Sequence, residues 1–147
     1  MRLRAWRPTD DVAAHIAAIY VEYGLCFDPS YENDLFDIEG AYAGGAFWVV
    51  EDEQGILATA AVVPDSGARL IRRMYVARRG RRRGLAAELI AACEGWGSFS
   101  RTHLWSDVRF RAAHALYLGA GFRGGHFRVL TDPDRSVERY FWRPSSC

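Results

Sequence analysis

Residues 70–90 read LIRRMYVARRGRRRGLAAELI: an apolar run, Leu70 to Val76, passes through an arginine-rich turn, Arg78 to Arg83, into a segment of helical spacing that opens at Gly84. A strand feeding a helix through a glycine-containing basic turn is the layout of a phosphate-gripping site. The first amides of a helix have no partner inside it, and the helix dipole adds partial positive charge there, so an anion can be held by main-chain donors. Arginine side chains add two-point contacts to phosphate oxygens. Two better-known phosphate loops are excluded. The P-loop needs a lysine followed by Ser or Thr, and the chain contains no lysine; the dinucleotide fingerprint needs three spaced glycines, and this turn offers only Gly80 and Gly84.

The pattern that does fit is Arg/Gln-x-x-Gly-x-Gly/Ala, met as Arg81-Arg82-Arg83-Gly84-Leu85-Ala86 directly after the strand end Met74-Tyr75-Val76. A second pattern follows, Ala115-Leu116-Tyr117-Leu118-Gly119-Ala120-Gly121-Phe122, a helix carrying a tyrosine and stopping at glycine before a strand. Together, in this order and with one helix and one strand between, they resemble the GCN5-related N-acetyltransferase (GNAT) superfamily over nearly the whole chain. The resemblance implies an α/β fold, a single GNAT-like domain over residues 1–147 with a mixed, mostly antiparallel sheet flanked by helices on both faces. It also implies acetyl-CoA as cosubstrate, bound by Met74, Tyr75, Val76, Arg81, Arg82, Arg83, Gly84, Leu85, Ala86 and Tyr117, and no metal. The implied reaction is direct transfer of the acetyl group to a primary amine, on a small cationic molecule or on a peptide or protein.

Composition agrees with one enzyme-sized domain. At 147 residues, half of them apolar, one core can be buried without staples. No apolar run is long enough to span a bilayer and MRLRAWRPTDD lacks a secretory core, so a cytoplasmic protein with no membrane partner is expected. Cys26, Cys93 and Cys147 form no CxxC, and an odd count argues against a disulfide framework.

Hydrophobic spacing predicts a strand over Arg2–Trp6 and a helix starting at Pro8-Thr9-Asp10-Asp11, with Val12, Ile16, Ile19, Tyr20 and Tyr23 on one stripe and Gly24 as its stop. A second helix is predicted over 31–42 with Leu35, Phe36 and Ile38 inward. Strands Ala46–Glu51 and Ile56–Val63 flank the turn Asp52-Glu53-Gln54-Gly55, and Leu70–Val76 pairs next. A helix over about 82–99 carries Leu85, Leu89, Cys93 and Trp96. Thr102–Asp107 is a strand, Phe110–Gly119 a helix, and Phe122–Leu130 with Val137–Trp142 the closing pair. Helices alternating with strands define an α/β layer architecture.

The formal net charge of +1 conceals a dipole. Residues 8–68 hold twelve of the eighteen acids and no arginine, while residues 69–147 hold sixteen arginines against six acids. Under the resemblance, the basic half holds an anionic cofactor and the first helices form the acceptor pocket. There Glu22, Asp28, Glu32, Asp34, Asp37 and Glu39, interleaved with Phe27, Tyr31 and Phe36, suit a cationic amine; the plainer reading of these residues is helix-terminal and solubility charge with core aromatics.

A free alkylamine is mostly protonated at neutral pH, so a base must take its proton. The resemblance implies a strand amide near Met74–Val76 for the oxyanion and Tyr117 as the acid for the departing thiolate. Many relatives place a glutamate in the strand before the loop. Here Arg69-Leu70-Ile71-Arg72-Arg73-Met74 has no carboxylate, which leaves Glu22, Asp107 or a water chain as base, with Asp107 equally able to cap the next helix. Phe110 stands near where relatives often carry an asparagine, and Arg109 or Arg111 could take over a phosphate contact. His15, His103, His114 and His126 show no metal-ligand spacing. His114, three residues before Tyr117, is a minor relay candidate. Two rival readings stay open: a nucleic-acid-binding module using Arg72, Arg73, Arg78, Arg79, Arg81, Arg82 and Arg83, against which the acidic half stands, and a CoA-binding sensor without catalysis. Oligomeric state, including a homodimer, is left open.

Overall fold

The computed structural model describes residues 1–145; Cys147 lies outside the described residues. Seven strands, β1 (Arg2–Ala5), β2 (Ala46–Asp52), β3 (Gly55–Asp65), β4 (Ala68–Val76), β5 (Arg101–Asp107), β6 (Arg123–Val129) and β7 (Val137–Pro144), form one sheet in the order β1-β2-β3-β4-β5-β7-β6. Four helices cover it: α1 (Val12–Glu22), α2 (Ile38–Ala41), α3 (Leu85–Glu94) and α4 (Arg111–Gly119). The sheet is mixed and mostly antiparallel, as the sequence leads one to expect, with β4–β5 its parallel pair.

Each face has its own core. Leu85, Leu89 and Cys93 of α3 and Tyr117 of α4 pack on Val50, Ala58, Val62, Ile71, Leu104 and Phe141. On the other face Val12, Ile16 and Tyr20 of α1, with Leu35, Ile38 and Tyr42, cover Phe47 and Ala61. The alternation of strand residues between the two faces makes both layers necessary. Among the described residues no helix is long and apolar enough to cross a membrane.

Two helix predictions need correction. The segment expected as one helix over 31–42 is a 3-10 turn at Asn33–Phe36 followed by the single turn of α2. Asp37 interrupts it: its backbone leaves the helical region (φ −148°, ψ 63°) and its side chain caps the N–H of Gly40. Phe36 therefore points outward, 61 % exposed, and only Leu35 and Ile38 are buried. The helix expected over 82–99 is shorter, Leu85–Glu94, because Arg82 (φ 61°) and Gly84 (φ 77°) are left-handed before it and Gly95 closes it. Trp96 lies past its end, stacked on Phe99.

The feature that makes a site is where the sheet comes apart. β4 and β5 are paired only at Arg69 with Thr102 and Leu70 with His103, and beyond those residues the ladder stops. β4 also carries a bulge on its other side: Arg72 faces Ala61 and Tyr75 faces Thr59, so Arg73 and Met74 together oppose Ala60. Arg73 takes the left-handed φ of 56° there, and the Thr59 hydroxyl donates to its carbonyl at 2.9 Å.

Candidate active site

Two cavities open along the parted strands and share a wall. The first, about 310 Å³, is lined by Met74, Tyr75 and Val76 of β4, by Arg81, Arg82, Gly84, Leu85 and Ala86 of the arginine turn and α3, and by Ala113, Leu116 and Tyr117 of α4. The second, about 110 Å³, lies towards the segment after α1 and the β6–β7 connection. Met74, Tyr75, Ser106, Phe110 and Tyr117 belong to both, so the cavities meet at one spot between β4, β5 and α4. Nine of the ten residues expected to hold the cofactor line the first cavity; Arg83 does not, standing exposed on the turn with its guanidinium 3.4 Å from the Arg79 carbonyl.

The turn is open where a ligand would approach. Gly84 is exposed and left-handed, and a Cβ placed on it would meet no atom within 4 Å. It precedes α3 with no side-chain cap, so the first amides of the helix keep their donors. The arginines divide their work. Arg81 makes a two-point ion pair with Glu22, one contact at 2.9 Å, while Arg78 approaches the same carboxylate at 3.6 Å and Arg79 pairs with Asp52 at 2.6 Å. Arg73 is turned inward. Arg73, Arg78, Arg79 and Arg81 are thus paired with carboxylates of the acidic half, while Arg72, Arg82 and Arg83 make no ion pair among the described residues.

Tyr117 is 2 % exposed, and burial pushes its phenol well above the ordinary tyrosine range. Its ring packs on Phe122 and Phe141, which fixes its direction, and among the described residues no hydrogen bond holds its hydroxyl. Asp107 is 7 % exposed at the end of β5 and lines the smaller cavity. One of its oxygens accepts the N–H of Arg109 at 2.8 Å; the other lies 3.5 Å from the Arg109 guanidinium. Asp107 braces the turn before α4, whose cap is Phe110, without capping the helix by its side chain. Glu22 is not brought to the junction: the Arg81 hydrogen bonds hold its carboxyl below the usual range, and it faces a separate surface depression beside Arg78. His114 lies outside both cavities with its ring edge-on to Phe141, and burial lowers its basicity.

Of the acids expected around the acceptor, Asp28 and Glu32 line the smaller cavity; Asp34 is committed to Arg73 and Asp37 to capping α2. Sequence reasoning missed Glu138, which faces Asp107 across the β5–β7 register, and Ser106 at the junction. The alternation of β5 puts Ser106 on the inner face with Leu104, a signal that could have singled it out. Glu138, in the last strand, had no such signal, because it depends on a pairing far away in sequence.

Residues 43–124 match the acetyltransferase (GNAT) domain, and the chain belongs to that family. Among solved structures, a GNAT-family acetyltransferase from Staphylococcus aureus Mu50 superposes with a TM-score of 0.85 at 20 % identity, covering 99 % of both chains. The ribosomal-protein-S18-alanine N-acetyltransferase of Escherichia coli gives 0.72 at 17 % identity, covering 99 % of this chain and 94 % of that one. A Bacillus anthracis acetyltransferase in complex with acetyl coenzyme A gives 0.60 at 19 % identity over 69 % of this chain and 62 % of that one. At such identities the likeness is one of fold. No curated protein sequence matches the chain.

Proposed function

We propose that this protein is an acetyl-CoA-dependent N-acetyltransferase acting on a primary amine. The observation that carries the reading is the meeting of two cavities at Met74, Tyr75, Ser106, Phe110 and Tyr117, one running to the arginine turn and the other to an acid-lined pocket. Acetyl-CoA supplies an activated acyl carbonyl. Arg82, Arg83 and the free amides after Gly84 hold its pyrophosphate, and two left-handed residues so close together give the chain the concave shape in which neighbouring N–H groups face one anion. Met74, Val76, Ala113 and Leu116 offer apolar walls to the pantetheine arm.

At the junction the strand edge left unpaired by the parting of β4 and β5 has main-chain donors to offer to charge developing on a carbonyl oxygen. Asp107, buried at the rim of the acceptor cavity, takes the proton of the incoming amine directly or through a water. Tyr117 stays a neutral phenol, the form that can give a proton to a departing thiolate. Holding both reactants in line supplies much of the acceleration. The reading is tested by thiol release from acetyl-CoA with a panel of amines, alongside acetyl-CoA-dependent thermal stabilisation. Stabilisation with no release on any amine would leave a binding protein and overturn the enzyme reading.

A further inference from the structure

The acceptor cavity is encircled by the chain. At β4, the Arg73 guanidinium bonds Asp34 at 2.9 and 2.5 Å and Glu32 at 2.5 Å, which fastens the segment after α1 to the strand. That same segment reaches the opposite rim. The N–H of Cys26 donates to Asp134 at 2.7 Å, and the hydroxyls of Tyr31 and Thr131 meet at 2.5 Å. Thr131 and Asp134 sit in the β6–β7 connection, which Asp132 braces by accepting the N–H and hydroxyl of Ser136 at 2.7 and 2.6 Å. From Ser136 the chain enters β7, β7 pairs with β5, and β5 lies beside β4, so the ring closes. The space within is about 110 Å³. Ordinary ligand pockets run to about 300–1,000 Å³.

We infer that Tyr31 and Asp134 determine acceptor specificity, clasping two loops across the cavity so that it takes a slender, unbranched alkylamine free in solution and shuts out lysines carried on a folded protein. This rests on the acetyl-transfer reading above. A lysine on a folded protein brings its backbone and neighbours to the rim, and reaching the junction at Tyr117 would require the two loops to stand apart. A thin alkylammonium needs no such opening. Its charge suits walls that carry six carboxylates against Arg72 and Arg73. The clasp consists of exposed bonds worth about 0.5–1.5 kcal/mol each, so substitution can open it without unfolding the domain.

The test compares kcat/KM for n-butylamine with that for the surface lysines of folded ubiquitin, for the native protein and for the double variant Tyr31→Phe, Asp134→Ala. The native protein should favour n-butylamine by more than about tenfold, or ~1.4 kcal/mol, and the double variant should narrow that ratio by raising the rate on ubiquitin, with KM for acetyl-CoA unchanged. A native ratio within tenfold overturns the inference whether or not the variant folds, as does an unchanged ratio in a folded variant. Activity on ubiquitin alone overturns it and leaves acetyl transfer standing. No activity of the native protein on n-butylamine or ubiquitin overturns this inference, whereas the acetyl-transfer reading falls only if every amine of the wider panel also fails while acetyl-CoA still stabilises the protein.

Discussion

Arg73 and Asp34 form a two-point ion pair, Nε to Oδ2 at 2.9 Å and Nη2 to Oδ1 at 2.5 Å, with 8 % and 10 % of their side chains exposed. Glu32 and the Tyr42 hydroxyl complete it. Arg73 stands where the backbone bulges out of the β3–β4 ladder, so one residue both bends the strand beside the junction and anchors the segment that walls the smaller cavity. A pair this dry is costly to break from one side, since the partner carboxylates stay buried without compensation.

Arg73→Met should therefore destabilise the protein by about 3–5 kcal/mol, a fall in Tm of roughly 10 °C. Melting followed by circular dichroism measures it. A variant that melts with the native protein would show that the pair does not hold the segment in place. Burial pushes the Asp34 carboxyl up, but Arg73, the Tyr42 hydroxyl and Arg72 together pull it further down, so its pKa lies below the usual range. Its contribution is thus present above the unfolded value of about 3.9 and is lost as pH falls further.

His15 in α1 gives a stability change at milder pH. Burial lowers its imidazole to about 4, and its Nε2 has no partner among the described residues. The unfolded chain binds a proton near pH 6.5 and the folded one does not until about 4. Stability from a neutral His15 is complete above about pH 6.5 and declines as pH drops towards 4. Urea midpoints measured across that window should fall for the native protein and stay flatter for His15→Asn; parallel slopes would assign the effect to other groups.

Gly84→Ala and Gly84→Asp separate backbone from ligand effects. Space is open for either side chain, but the left-handed φ of 77° costs a non-glycine residue about 1–2 kcal/mol. Both variants should lose that much in melting. Only the aspartate should also lose stabilisation by acetyl-CoA, which otherwise amounts to about 2.7 kcal/mol at a hundred times Kd. Equal stabilisation of the two would place the pyrophosphate elsewhere.

Tyr117→Phe and Asp107→Asn should each lower kcat by about a hundredfold or more and leave acetyl-CoA stabilisation intact. If Asp107→Asn turns over at the native rate, a water chain without it carries the proton.

The element order was readable from local spacing because the long helices and the core strands carry apolar stripes of their own, such as Val12, Ile16 and Ile19 or Leu85 and Leu89. What escaped is non-local or depends on single residues. Asp37 breaks the helix expected over 31–42 by capping Gly40, a competition between side chain and backbone that apolar spacing does not register. The pairing of Arg81 with Glu22 joins residues 59 apart and removes Glu22 from the junction. Tyr117 is singled out by the resemblance, through the motif from Ala115 to Phe122, and Asp107 by its place at the end of a strand. Glu138 and Ser106 reach their places through the register of β5 and β7.

The brief pairing of β4 with β5 leaves the molecule as two half-sheets joined along a short seam, four strands on one side and three on the other. A guest lying in that seam touches both halves and stands in for the missing rungs. Binding and rigidity are then the same event, and the protein should be loosest when it is waiting for its substrates.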